Sequence, residues 1–406
     1  MKIAELLTDS KKVLLLKLSN LFLKFVSSII LIRYLGIDGK GEYFSYSQIG
    51  GVISFLLCLS IGDFFYFNSQ KEINRSLFLS FRIVLIGLLL PIILLSFLLE
   101  IKIFYFYLSF ILSGGLDYLT LSLLKSERRY NTVNLYLLLK STLLLGCLVF
   151  FSLAIERLVI LNLVISIALS FLFKVNNFKS FKDRVYDLKY IGKNLIQYTR
   201  SVHVNNVFGD MENKIDVLIL VLFSTPTEIG LYSIAVVMVQ MINHFSNLIN
   251  QILSPLFNEV SNQIINSLYS TVYYSSIFFT LFIITFQNPL LKLIYNVEDQ
   301  SLFYVIVILS IAFIPETLSR FLILRYKFGE GSKEYLRKIS MITVILNISI
   351  NLIFIPIYGI LGAAITSLIT YSIRYILIKR NMRIEGNEAK LLKPTEIYLS
   401  IKNQLK

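Results

Sequence analysis

The stretch VLLLKLSNLFLKFVSSIILIRYL, residues 13–35, decides the class of fold. A mostly apolar run of this length is long enough to cross a lipid bilayer as an α-helix. Lys24 lies near its centre, where a charge in hydrocarbon costs roughly 3 kcal/mol or more. At about 100° per residue, Lys17, Asn20 and Ser28 fall on the same helical face as Lys24. We therefore expect this face to meet a bundle interior or a water-filled cavity.

The composition of the whole chain agrees with a membrane protein. Hydrophobic residues make up 56% of it, charged residues only 16%, and the mean hydropathy is +0.71, whereas soluble domains carry about 25% charged residues. The net charge of +14 comes from Lys and Arg beside the apolar segments, as the positive-inside rule predicts, so we expect no nucleic-acid binding. Cys58 and Cys147 lie inside apolar runs, which argues against a disulfide framework or a thiolate metal site.

Twelve apolar runs of about 20 residues predict an all-α polytopic membrane protein with twelve transmembrane helices. Lys and Arg concentrate on the termini and on the even-numbered connections, so both termini are predicted to be cytoplasmic. The predicted spans are residues 13–35, 43–65, 78–99, 103–124, 132–153, 158–173, 195–222, 229–256, 268–286, 301–324, 335–357 and 359–378.

The chain contains a weak internal repeat. Gly41-x-Tyr43 starts the second predicted span and Gly230-x-Tyr232 starts the eighth, at matching places. Two parallel six-helix lobes result, an arrangement typical of transporters with a central site. The predicted parts are an N-terminal lobe at 1–174, a basic amphipathic helix on the cytoplasmic leaflet at 175–194, a C-terminal lobe at 195–380, and a basic cytoplasmic tail at 381–406.

The eighth predicted span carries the most regular polar pattern in the chain. Its polar residues recur at intervals of 4, 3, 4 and 3, which places them on one helical face. Hydrogen bonds between helices, at about 0.6 to 2 kcal/mol each, would explain one or two of them. The longer row favours a cavity wall. With the polar faces of the first and seventh spans, the predicted lining residues are Asn20, Asn206, Asn213, Gln240, His244, Asn247, Gln251 and Ser254.

Charged residues inside the spans have several interpretations. Glu316 and Arg320, four residues apart beside Pro315, predict a self-contained ion pair. His244 can titrate near neutral pH, and Asp210 and Asp216 are rival candidates for coupling ion movement to transport. A histidine among amides can also act only as a hydrogen-bonding group. The residues expected to extend from the cytoplasmic ends of spans towards water are Arg82, Lys140, Arg320 and Arg374.

A face of amides and hydroxyls suits a sugar, and a lysine in the same cavity suits a phosphate. Lys24, Lys17 and Arg374 are the predicted contacts for a diphosphate. Together these features predict an amphiphile with a sugar, a diphosphate and an apolar tail, such as a lipid-linked oligosaccharide. The sequence has no phosphate-binding loop, no catalytic constellation and only two histidines, so we expect neither an enzyme nor a metal or other cofactor.

Several stretches of the chain carry a resemblance to a known family: Gly36 with Gly41 and Tyr43, NKIDVLIL at 213–220, GLYSIA at 230–235, LSP at 253–255, LNISINL at 346–352 and IPIYGILGAA at 355–364. Through them the sequence resembles the Wzx-type polysaccharide flippases of the MATE-like multidrug/oligosaccharidyl-lipid/polysaccharide (MOP) exporter superfamily. The resemblance implies two six-helix lobes around a central cavity and the movement of undecaprenyl-diphosphate-linked O-antigen units across the bacterial inner membrane by alternating access, as lipopolysaccharide biosynthesis requires. It assigns Lys24 to the basic cavity lining and matches Asp216 to the family's aspartate. Implied partners are the lipid-linked oligosaccharide, membrane lipids and other polysaccharide-assembly membrane proteins.

Three alternatives remain open. A flippase for a peptidoglycan precursor usually has fourteen spans, against the twelve predicted here. A cation-coupled multidrug exporter needs a more apolar and acidic pocket than the amides of the eighth span predict. A membrane polysaccharide polymerase belongs to a different class and usually has a large outer loop, whereas the outer connections predicted here are short.

Overall fold

All regular secondary structure in the described part of the chain is helical, which confirms the predicted fold class. Seven of the described helices are long and apolar enough to cross a membrane, so the protein is a multi-pass membrane protein. The computed structural model describes residues 3–58, 71–98, 102–127, 129–151, 155–173, 207–208, 211–212, 214–253, 262–328, 333–384 and 389–396.

The chain forms two compact units, 1–214 and 215–406. The predicted linker helix at 175–194 lies outside the described residues, so it stays a prediction, as do the predicted lobe boundaries and the count of twelve spans. The helices of the first unit are α1 (Ile3–Leu57), α2 (Lys71–Leu98), α3 (Lys102–Ser126), α4 (Tyr130–Phe151) and α5 (Ile155–Leu172).

Helix α3 is the centre of the first unit. It packs against α1, α2 and α5, and its Leu112, Leu116 and Leu119 are fully buried. A helix that is apolar on every side is expected in the interior of a bundle. The middle of α3 therefore lies among protein neighbours.

Helix α1 consists of two helices joined at Gly36. Gly36 has φ 73° and ψ 178°, a conformation that is essentially restricted to glycine. Lys40 donates a hydrogen bond to Ser28. In a straight helix these residues would lie about 18 Å apart, beyond the reach of a lysine side chain, so the chain folds back at Gly36. The first two predicted spans thus meet at a single glycine.

The second unit also contains two helices joined at a single glycine, near its end. Helix α10 covers the last two predicted spans and is broken at Gly359, where φ is 55° and ψ is −132°. Helix α9 contacts α7, α8 and α10 and takes the central place that α3 holds in the first unit. The helices of this unit are α6 (Ile215–Phe223), α7 (Pro226–Leu253), α8 (Asn262–Leu290, followed by a π-helical turn at Leu291–Tyr295), α9 (Gln300–Phe328) and α10 (Lys333–Ile384).

A C-terminal segment lies along the first turns of α8. The backbone N–H of Lys390 donates to Asn266 Oδ1 at 3.1 Å, and that of Leu392 donates to Ser270 Oγ at 2.8 Å. Tyr274 Oη donates to the carbonyl oxygen of Leu392 at 3.3 Å. The three α8 residues are spaced four apart and share one face. Part of the predicted basic tail is therefore docked on the helix bundle.

Candidate functional site

The polar face of the first predicted span is packed except at Lys24. Asn20 is buried and accepts a hydrogen bond from Ser141 Oγ at 2.7 Å, and Ser28 is buried against Lys40. Between them Lys24 is exposed and makes no hydrogen bond or ion pair with the described residues. Of these three residues, Asn20 and Ser28 are therefore packed against protein neighbours, and Lys24 is open.

Lys17, one turn before Asn20, is half-buried. Its charge lies close enough to that of Lys125 for the two to repel each other. The predicted role of Lys17 as a diphosphate contact stays a prediction.

Asp117, near the middle of α3, holds a polar cluster inside the first unit. Its carboxylate accepts hydrogen bonds from Tyr136 Oη and from Lys140 Nζ, and Lys140 also donates to Ser166 Oγ at 2.8 Å. The cluster joins α3, α4 and α5. Asp117 is absent from the sequence-based predictions, although a lone acidic residue in an apolar span is itself a signal of a functional or paired site.

Three of the four residues expected to extend towards water do not do so, and two of them, Lys140 and Arg82, lie in the first unit. Lys140 is held by Asp117 in the middle of α4. Arg82 is buried, donates from Nη1 to the carbonyl oxygen of Ser170 at 3.0 Å, and places its guanidinium 4.0 Å from the centre of the Phe171 ring. The last carbonyls of a helix have no helical partner and attract cations. Both predictions were wrong because the bundle itself supplies an acceptor.

The second unit contains a buried carboxylate shared by two arginines. Glu316 accepts from Arg320 Nε, which confirms the predicted ion pair. It also accepts from Arg374 Nη1 at 3.3 Å. A buried charge of this kind is stable only when it is paired. Arg374 is therefore buried against Glu316, contrary to the prediction that it reaches water, and we leave it out of the proposed diphosphate contacts.

Asp216 lies in the interior of the second unit. It is buried and accepts hydrogen bonds from Tyr232 Oη on α7 and from the backbone N–H of Val217 at 2.9 Å. These contacts are local packing contacts of α6 and α7. The predicted role of Asp216 in ion coupling stays a prediction, and so does that of Asp210, which lies outside the described residues.

The polar residues of α7 lie on more than one side of the helix. Asn243 is buried and accepts a hydrogen bond from Thr317 on α9, so it serves helix packing. Gln240 is exposed and Asn247 is half-buried. The predicted sugar-lining role of these residues stays a prediction. The predicted residues whose side chains lie outside the described part are Asn206, Asn213, His244, Gln251 and Ser254.

The arrangement in the first unit suits the binding of an anion. The ammonium groups of Lys24 and Lys140 lie close enough for their charges to repel each other, and only Lys140 has an acidic partner. Within the described ranges, no three His, Cys, Asp or Glu side chains are grouped as a metal site would require. These lysines can therefore recognise an anion through their charge and through hydrogen bonds.

Comparison with known proteins identifies the fold. No protein-family model and no curated protein sequence matches the chain. Among solved structures, the lipid II flippase MurJ in an inward closed conformation aligns with a TM-score of 0.65 at 12% identity, covering 98% of this chain and 90% of MurJ. An inward-facing MATE family multidrug transporter of the MOP superfamily aligns with a TM-score of 0.60 at 12% identity, covering 93% and 98%. The chain therefore has the fold that MurJ shares with the MATE transporters of the MOP superfamily.

Proposed function

We propose that the protein is a flippase that moves an undecaprenyl-diphosphate-linked oligosaccharide, an O-antigen repeat unit or a related polysaccharide unit, across the bacterial inner membrane by alternating access. The observation that carries this proposal is the exposed Lys24, which has no partner among the described residues halfway along a membrane span. The likeness of fold to the lipid II flippase MurJ supports this proposal.

The chemistry of Lys24 favours an anionic substrate. An ammonium group without an acidic partner at this depth is costly, and a diphosphate offsets the cost while it is bound. Because lysine is a compact charge without a fixed fork geometry, it can attract the diphosphate and release it again. Such reversible binding is what translocation requires, and it needs no bond-making chemistry and no cofactor.

The polar residues that the sequence predicts to line a cavity are our candidates for contacts with the sugar. Gln240 is exposed and can both donate and accept hydrogen bonds, which suits hydroxyl groups. His244 and the two aspartates of the seventh span remain our candidates for coupling transport to an ion gradient. Membrane lipids and other polysaccharide-assembly membrane proteins are the proposed partners.

A peptidoglycan-precursor flippase is the second candidate. It is favoured by the likeness to the lipid II flippase MurJ over 98% of this chain. The two substrates share a lipid diphosphate and differ in the attached group. A multidrug exporter for cationic drugs is less suited, because Lys24 would repel a cationic ligand.

The test uses the purified full chain in vesicles that contain fluorescent undecaprenyl-diphosphate oligosaccharide or fluorescent lipid II in the inner leaflet. Loss of inner-leaflet label reports translocation. Lys24→Ala should reduce the rate at least about tenfold, the expected effect of losing one charge-assisted contact, and Lys24→Arg should retain part of it. Lys292→Ala removes an exposed lysine that pairs with Glu298 and is the matched control.

The two lipids decide between the candidates. Faster movement of the oligosaccharide lipid supports the proposal, and movement of lipid II alone supports the second candidate. If the Lys24→Ala protein moves either lipid as fast as the unsubstituted protein, the diphosphate role of Lys24 is wrong.

A further inference from the structure

Lys140 has one hydrogen-bond donor to spare. An ammonium group carries three N–H donors, and Lys140 uses two of them, one on Asp117 and one on Ser166 Oγ. No third acceptor lies within hydrogen-bonding distance among the described residues, and the side chain is 16% exposed. A ligand can therefore reach Lys140 without breaking its existing contacts.

The packing of α1 against α4 places Lys24 beside this donor. Asn20 and Ser141 are joined by a hydrogen bond of 2.7 Å, which fixes the register of the two helices. Lys24 follows Asn20 by one helical turn, and Lys140 is the neighbour of Ser141. This register brings the two lysines to the same part of the contact between α1 and α4, where their charges repel each other.

The charges of Lys24, Lys140 and Asp117 do not cancel, as the charges of a structural ion pair do. Asp117 compensates one lysine and leaves the other uncompensated. A purely structural pair would be more stable without a second lysine nearby, because like charges repel and the surroundings are poor in water. A bound anion removes this repulsion.

We infer that Lys24 and Lys140 together form a diphosphate-binding site, in which Asp117 and Ser166 hold Lys140 in place. The inference rests on the proposed function for the identity of the anion. A diphosphate carries enough negative charge to engage both lysines, and its linked phosphate groups present several acceptor oxygens to them.

Asp117 and Tyr136 are positioning residues in this site. Tyr136 is fully buried and donates to Asp117 Oδ1, so the carboxylate cannot rotate freely. The other oxygen, Oδ2, faces Lys140. The orientation of the Lys140 ammonium is thereby set by groups that do not themselves contact the substrate.

The test measures binding of two probes, inorganic pyrophosphate and farnesyl diphosphate, to the purified full chain. Lys140→Gln should weaken the binding of both probes at least about tenfold. The exchanged pair Asp117→Lys with Lys140→Asp keeps an ion pair but places a carboxylate beside Lys24. It should retain the thermal stability of the protein and still bind both probes at least about tenfold more weakly. Exchanging the surface pair, Lys292→Glu with Glu298→Lys, is the matched control and should bind as before.

A measurement on the unsubstituted protein keeps the inference testable if a variant fails to fold. Pyrophosphate should protect both Lys24 and Lys140 from reductive methylation, read by mass spectrometry, and should leave Lys292 reactive. Protection of Lys24 alone would overturn the inference. Undiminished probe binding by a folded Lys140→Gln protein or by the exchanged pair would also overturn it.

The two proposals fail separately. If both lysines bind farnesyl diphosphate but vesicles show no movement of any lipid-linked sugar, the site stands and the flippase function is wrong. If translocation depends on Lys24 but Lys140→Gln leaves probe binding unchanged, the function stands and the two-lysine site is wrong.

Discussion

Arg374 on α10 donates a hydrogen bond to Glu316 on α9 at 3.3 Å, and both side chains are almost completely buried. The contact ties together two helices of the second unit deep within it. The same carboxylate also binds Arg320 on its own helix.

Removing this shared carboxylate should be more damaging than removing one of its partners. Glu316→Ala removes the carboxylate that both arginines share and should destabilise the protein by about 3 to 5 kcal/mol, the usual cost of breaking a buried pair. Arg320→Ala leaves the contact with Arg374 intact and should cost less. Thermal unfolding in detergent ranks the two variants. Equal losses would show that Arg374 contributes nothing to the cluster.

Replacing Gly36 should strain the joint within α1. A Cβ atom at this position meets no atom within 4 Å, so the cost comes from the backbone conformation alone. For an L-residue with these angles it is about 1 to 3 kcal/mol, and Gly36→Ala should lower the unfolding temperature accordingly. Gly87 in α2 also has open space around it but has no positive φ. Gly87→Ala should be neutral or stabilising by up to about 1 kcal/mol, which makes it the matched control.

The start of α9 should be sensitive to acid through Asp299. Asp299 Oδ1 accepts from the backbone N–H of Leu302 at 2.8 Å and from Ser301 Oγ. Partial burial tends to raise the pKa of Asp299, but these hydrogen bonds outweigh it and hold the pKa below its ordinary value. The carboxylate therefore contributes stability above the unfolded pKa of about 3.9, and this contribution is lost as the pH falls through the lower, folded pKa.

The comparison of Asp299→Asn with the unsubstituted protein isolates that contribution. Asn also caps a helix N-terminus but does not titrate. The stability advantage of Asp over Asn should be constant above about pH 5 and shrink below about pH 4. A difference in unfolding temperature that does not change with pH would contradict the assignment.

The docked C-terminal segment should accept a cross-link to α8. In a protein with Cys58→Ala and Cys147→Ser, the pair Ser270→Cys and Leu392→Cys should form a disulfide under mild oxidation, because Leu392 N lies 2.8 Å from Ser270 Oγ and disulfides need nearby backbones. Leu268 lies about 160° around the helix from Ser270. The pair Leu268→Cys with Leu392→Cys is the control and should stay reduced, as a mobility shift on a gel reports.

Contacts within one helix could be predicted from the sequence, and contacts between helices could not. The pair of Glu316 and Arg320 follows from a spacing of four residues. By contrast, the attachment of Lys140 to Asp117 depends on how α3 and α4 are aligned, which residue spacing does not encode. The prediction that Arg82 extends towards water was wrong for the same reason, because its acceptor is a carbonyl at the end of a helix that is distant in the sequence.

The polar residues of the first span illustrate this limit at the candidate site. The helical period correctly places Asn20, Lys24 and Ser28 on one face. It does not say that Asn20 and Ser28 are occupied by Ser141 and Lys40 while Lys24 is left open. Only packing against neighbouring side chains distinguishes a charge that is available to a ligand from a polar group that joins two helices.

The single-glycine joint at Gly36 also bears on how the protein enters the membrane during synthesis. With no connecting loop, neither half of α1 can choose its orientation independently of the other. We expect the two halves to pass from the ribosome into the bilayer as one hairpin, because the hydrogen bond between Lys40 and Ser28 needs no later helix. The insertion of the segment that carries Lys24 therefore depends on the segment that follows it.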